Sequence, residues 1–99
     1  MQTDRAITAE DVVLLQQTTP QDYRAWHMDL IGGFLPNDVR LRMPSPEEEL
    51  ETLLDRMQPG DQLWLARSRR YEPDVLIGSL GIAVVRDGAP IWYRIAWNH

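Results

Sequence analysis

Val75-Leu76-Ile77-Gly78-Ser79-Leu80-Gly81-Ile82-Ala83-Val84-Val85-Arg86-Asp87-Gly88-Ala89-Pro90-Ile91-Trp92-Tyr93-Arg94-Ile95-Ala96-Trp97 decides the fold. Two alternating runs flank Arg86-Asp87-Gly88-Ala89, a hairpin signal in which glycine supplies the positive φ of a tight turn. In the first run Leu76, Leu80, Ile82 and Val84 point one way with Gly78, and Ile77, Ser79, Gly81 and Ala83 point the other. One face is bulky and the other nearly bare. In the second run Ile91, Tyr93, Ile95 and Trp97 alternate with Trp92, Arg94 and Ala96. Apolar residues on both faces require that both be covered, or that one meet a partner. Together with residues 63–66, the runs 75–85 and 91–97 predict a three-stranded antiparallel meander. Its last strand, followed only by Asn98 and His99, is expected at the sheet edge, where unpaired backbone groups must be covered or find another strand.

Gln58-Pro59-Gly60-Asp61 is a turn, and ahead of it the hydrophobic period is helical. Ser45-Pro46-Glu47-Glu48 combines a hydroxyl cap, proline at the first helical position and glutamate at the third, predicting a helix over 46–58. Leu50, Leu53, Leu54 and Met57 form its core face, with Glu47, Glu51 and Asp55 opposite. Thr19-Pro20 opens a second helix in the same way, carrying Tyr23, Trp26, His27, Leu30 and Ile31 as one apolar stripe that Gly32-Gly33 ends. Thr8 and Asp11 have capping-box spacing ahead of Val12-Val13-Leu14-Leu15, which predicts a helix over 9–17. Residues 3–7 are read as a short strand and 34–44 as a loop or extended piece. The expected fold class is α+β, with N-terminal helices packed on one face of a small antiparallel sheet. That sheet is the meander, with 3–7 as a possible fourth strand, in a single domain: 1–61 mainly helical and acidic, 62–99 the meander.

Ninety-nine residues with 43% apolar content suffice for one modest core. The net charge of −5 is uneven, with twelve acids against five arginines in 1–61 and three against five in 62–99. This balance argues against nucleic acid as a partner, and an acidic helix face is ordinarily just solvated. Absence of cysteine excludes disulfides and thiolate metal sites and suits a reducing cytoplasm. Neither a signal peptide nor a run of about 18 apolar residues is present, so a soluble cytoplasmic protein is expected.

Several segments resemble the N-terminal half of a GNAT-type N-acetyltransferase. Arg5-Ala6-Ile7-Thr8-Ala9-Glu10-Asp11 resembles the family's opening strand and helix start. Leu63-Trp64-Leu65-Ala66, Leu76-Ile77-Gly78-Ser79-Leu80-Gly81-Ile82 and residues 91–98 resemble its second, third and fourth strands. The resemblance implies a GNAT-like half domain and, as cofactor, acetyl-coenzyme A. In that family the coenzyme's pyrophosphate is held by a glycine-rich turn directly after the fourth strand, where this sequence reaches His99. No Gly-x-Gly segment opens a helix here, and 91–97 carries no carboxylate to serve as a base. The resemblance thus implies a chain inactive alone, needing a complementing half or a dimer.

Ser79, Gly81 and Ala83, with small side chains on one strand face, are candidates for an acceptor groove. Tyr93 and Trp97 on the last strand, with Arg69 and Arg70 in a basic loop, are candidates for partner binding, since Trp and Tyr favour binding centres. Pairing of the last strand with a second copy, or with a complementing chain, would bury Tyr93 and Trp97 and satisfy the strand edge. His27 and His99 do not form a zinc-type ligand set, and Glu47-Glu48-Glu49 reads as a helix start, so no metal is expected. The competing functional class is a non-enzymatic regulator or inhibitor that binds protein through the last strand and the acidic helix.

Overall fold

The computed structural model describes residues 4–31, 36–72, 74 and 77–98. Its elements in chain order are β1 (Asp4–Ala6), β2 (Val12–Thr18), α1 (Pro20–Ile31), α2 (Asn37–Leu41), α3 (Pro46–Glu49), α4 (Glu51–Asp55), β3 (Gln62–Ser68), β4 (Ser79–Arg86) and β5 (Ala89–Asn98). The five strands form one antiparallel sheet in the order β1-β5-β4-β3-β2. This corrects the expected α+β arrangement of helices on a three-stranded meander. Strands hold more residues than helices, and the first sixty-one residues contribute two of them.

The largest correction falls on 9–17. The Thr8/Asp11 pair forms as its spacing demands, with the Thr8 amide donating to Asp11 Oδ2 at 2.8 Å and the Glu10 amide to Thr8 Oγ1 at 3.3 Å. It closes a turn, and the chain continues as a strand. Val12-Val13 are β-branched, and the stretch gains a full ladder by pairing with β3 from Val12↔Ser68 to Thr18↔Leu63. A bulge at Leu15 interrupts the register and leaves that leucine 48% exposed on the sheet's outer strand.

Other starts fall where the sequence places them. The Asp22 amide donates to Thr19 Oγ1 at 3.1 Å and the Glu48 amide to Ser45 Oγ at 3.2 Å. Leu50, with φ −96° and ψ 9°, divides the expected 46–58 helix into α3 and α4, yet Leu50 and Leu53 are both fully buried. The 34–44 stretch contains α2, a single short helix. The expected stop at Gly32-Gly33 lies outside the described residues.

Both sheet faces hold buried apolar residues, and the described helices cover one of them. Against the helices pack Tyr23, Leu50, Leu53, Leu63, Leu65, Ile82 and Val84, flanked by Trp26 and Trp92. The opposite face holds a smaller cluster of Val12, Ala66, Ala83 and Tyr93, edged by Ile7, Leu14 and Ile95. Burying each large aliphatic side chain contributes about 2 kcal/mol. Asp87 (φ 52°) and Gly88 (φ 82°) make the β4–β5 hairpin turn.

The last strand is not an edge. β1 pairs with it at Asp4↔Arg94, Arg5↔Tyr93 and Ala6↔Trp92, and the Ile7 amide extends the ladder to the Ile91 carbonyl at 3.1 Å. Underneath, Arg94 is buried against the helices. Its Nε donates to Asp4 Oδ1 at 2.8 Å, its Nη1 to the Glu49 carbonyl at 2.6 Å, and its Nη2 to Thr52 Oγ1. Thr52 in turn donates to Asp4 Oδ2 at 2.7 Å. Burial raises the Asp4 pKa, but the bonds from Thr52, Arg94 and Arg56 and the Arg94 charge outweigh it, and the net direction is down. One ion pair therefore fastens β1, β5 and α4 together.

Candidate functional site

β1 and β2 stand at opposite edges of the sheet, yet only residues 7–11 separate them in sequence. In a flat five-stranded sheet the outer strands lie about 19 Å apart, four spacings of about 4.8 Å. Residues of both edges nevertheless converge on one concave site on the face opposite the helices. There a cavity of about 220 Å³ is lined by Arg5, Ala6, Ile7, Asp11, Val12, Ser68, Ser79 and Tyr93. Every strand contributes to it.

The floor is hydroxylic. Tyr93 Oη and Ser79 Oγ lie 3.0 Å apart, both residues buried, and either hydroxyl can donate. Burial raises the Tyr93 pKa, the Ser79 bond and the Arg5 charge offsetting part of the rise, so the phenol keeps its proton at neutral pH. Ser68 Oγ accepts the Ser79 amide at 2.9 Å and donates to the Arg70 carbonyl at 2.6 Å, which commits its proton. Gly78 (φ 106°) makes this approach feasible, because a Cβ there would lie 2.7 Å from both Ser68 Oγ and the Arg70 carbonyl oxygen. Asp11 commits Oδ2 to Thr8.

Of the groove candidates, Ser79 lines this cavity, whereas Gly81 and Ala83 are buried. Gly81 is small because the β5 backbone lies against it: a Cβ would sit 2.0 Å from the Arg94 carbonyl oxygen. Of the partner-binding candidates, Tyr93 is 3% exposed and serves the cavity from inside. Trp97 lies further along β5, half-buried, opposite Leu80. Arg69 donates to the Ala9 and Val12 carbonyls at 2.5 and 3.2 Å, pinning the 7–11 connection, and Arg70 pairs with Glu72 at 3.2 Å. Ser79 and Tyr93 thus come together, while the two loop arginines serve local structure. Sequence reasoning missed Arg5, Ala6, Ile7, Asp11, Val12 and Ser68. Their convergence depends on β1 pairing with β5, for which no short-range signal exists.

On the helix side, His27 is buried as its stripe requires, but Nδ1 has no hydrogen-bond partner among the described residues and lies 4.0 Å from Glu49 Oε1. Arg24 holds that glutamate at 2.6 Å. Tyr23 Oη is likewise buried without a partner there, and desolvation together with the Glu49 charge drives its pKa strongly upward. None of these groups opens onto the cavity.

Among the described residues no group of His, Asp and Glu could hold a metal ion, and no helix is long and apolar enough to cross a membrane. Comparison with protein-family models, curated proteins and solved structures finds no match.

Proposed function

We propose that the chain is acetyltransferase-like, of the GNAT type, cytoplasmic, and inactive alone, acetyl-coenzyme A being held only when a second copy or a complementing chain supplies the pyrophosphate cradle. The observation that carries this reading is the run of consecutive antiparallel neighbours β2, β3, β4 and β5, with every described helix inserted between β2 and β3. A strand, then helices, then three antiparallel strands is the succession the resemblance implies, although the segment 5–11 that it reads as opening strand and helix start forms β1 and a turn, and the strand before the helices is β2. No Gly-x-Gly segment opens a helix in the sequence, which is why the coenzyme's phosphates need donors from elsewhere.

The test is calorimetric titration of acetyl-coenzyme A into the folded protein over a concentration range in which its mass is followed by sedimentation. Saturable heat that appears only with an assembled species supports the reading. An assembled, folded protein that gives no heat refutes it and leaves a non-enzymatic protein-binding regulator. That alternative would draw on the exposed Glu47, Glu48, Glu51 and Asp55 in place of the last strand, part of whose edge β1 occupies.

A further inference from the structure

Three of the four arginines in strands are committed. Arg67 donates to the Ser68 and Arg69 carbonyls, Arg86 pairs with Asp61, and Arg94 pairs with Asp4. The fourth, Arg5, has no ion pair or side-chain hydrogen bond among the described residues, in a chain carrying five more acids than bases. Arg5 stands directly opposite Tyr93 across the β1–β5 ladder, and both residues line the concave cavity. Whichever of Tyr93 and Ser79 donates to the other, one hydroxyl proton of the pair remains free. The exposed Arg5 and one hydroxyl donor thus serve a cavity whose one carboxylate, Asp11, stays charged but has Oδ2 turned to the Thr8 amide and hydroxyl.

Size and lining narrow the ligand. A single water needs only about 10–15 Å³ measured on the same basis, so about 220 Å³ takes a small organic molecule and is loose for a lone inorganic ion. Ile7 and Val12 supply an apolar wall beside the donors. We propose that the cavity binds a short aliphatic carboxylate, its oxygens taken by the Arg5 guanidinium and the Ser79–Tyr93 hydroxyl pair, its alkyl part laid against Ile7 and Val12. Guanidinium and carboxylate match in shape, and charge-assisted bonds are the stronger kind. This site stands independently of the acetyltransferase reading, because it needs no coenzyme.

The experiment is an amide chemical-shift titration of the protein with butyrate, butyramide and inorganic phosphate at constant ionic strength. Butyrate is expected to saturate with a dissociation constant on the order of 1 mM, shifting Ile7, Ser79 and Tyr93. Butyramide, which lacks the charge, and the Arg5→Gln protein with butyrate are each expected to bind about tenfold more weakly. Tyr93→Phe, which keeps the ring and removes the hydroxyl, is expected to weaken butyrate about fivefold. The proposal is overturned if butyramide binds as well as butyrate, if phosphate binds as tightly, or if a folded Arg5→Gln protein is unaffected. Absence of saturable shifts at these residues overturns it as well.

Discussion

Gly81→Ala tests the close approach of β4 and β5. The added Cβ would sit 2.0 Å from the Arg94 carbonyl oxygen and 2.9 Å from Tyr93 Cε1, where ordinary contact begins at 3.4 Å. The shortfall against the oxygen is 1.4 Å, the difference between 3.4 and 2.0 Å, and a backbone atom cannot yield as a flexible side chain does. Opening the strands by that distance stretches a ladder bond of about 2.9 Å past the limit of a hydrogen bond. Two lost bonds at about 1 kcal/mol each, with one buried group left unpaired at about 1–3 kcal/mol, give roughly 3–5 kcal/mol. For a domain of this size that lowers Tm by roughly 15–30 °C, a large share of a typical stability of about 5–15 kcal/mol. Thermal and urea unfolding followed by circular dichroism measure it, with Gly88→Ala as the control. Gly88 has φ 82° and open space around its Cβ position, so its substitution carries backbone strain of about 1 kcal/mol and no clash. A Gly81→Ala protein that melts with or above Gly88→Ala refutes the reasoning.

Leu53→Ala, at a fully buried position in the helix-side cluster, is expected to lose about 2–5 kcal/mol in urea unfolding, and a loss under about 1 kcal/mol would mean that α4 is not anchored there. Asp4 has a lowered pKa in the folded state, so its contribution is complete above the unfolded value of 3.8 and disappears as pH falls through the folded value. Urea midpoints from neutral pH into the acid range should therefore fall more steeply for the parent than for Asp4→Asn; parallel curves would dismiss the Asp4–Arg94 pair as the cause. Tyr93→Phe is expected to lower stability by about 1 kcal/mol through loss of the Ser79 bond, while Ser79→Ala with Tyr93→Phe should cost less than the two changes summed. Strict additivity in that double-mutant cycle would mean that the two hydroxyls do not interact.

The hairpin around Asp87-Gly88, the Thr19-Pro20 and Ser45-Pro46 starts and the alternation of Ile82, Ala83 and Val84 were all legible in the sequence, because each rests on contacts within a few residues. Residues 12–18 were not, although the Thr8/Asp11 bond forms. A local cap does not impose a helix on its neighbours when Val12-Val13 gain more from the β3 ladder than from a helical turn. The position of the last strand was misjudged for a similar reason, since its second neighbour is the chain's first strand and no pattern in 89–98 announces that. Two of the cavity's five polar residues, Ser79 and Tyr93, are legible as candidates, but for a groove and a partner surface. The Arg5 wall depends on the same long-range pairing and left no mark in the sequence.

The placement of β5 between β1 and β4 also dictates the order in which this protein can assemble during synthesis. Residues 4–6 leave the ribosome ahead of the rest of the described chain, but their ladder partners, 92–94, are among the last of it to emerge. Until then Asp4 has no Arg94, the concave face lacks Tyr93, and the free edge of β4 stands open to other nascent chains. Native pairings that span ninety positions carry a high loop-closure cost, so folding is expected to be slow and to complete only after β5 emerges. A ribosome stalled before residue 89 would therefore hold a protease-sensitive chain, not a partial domain.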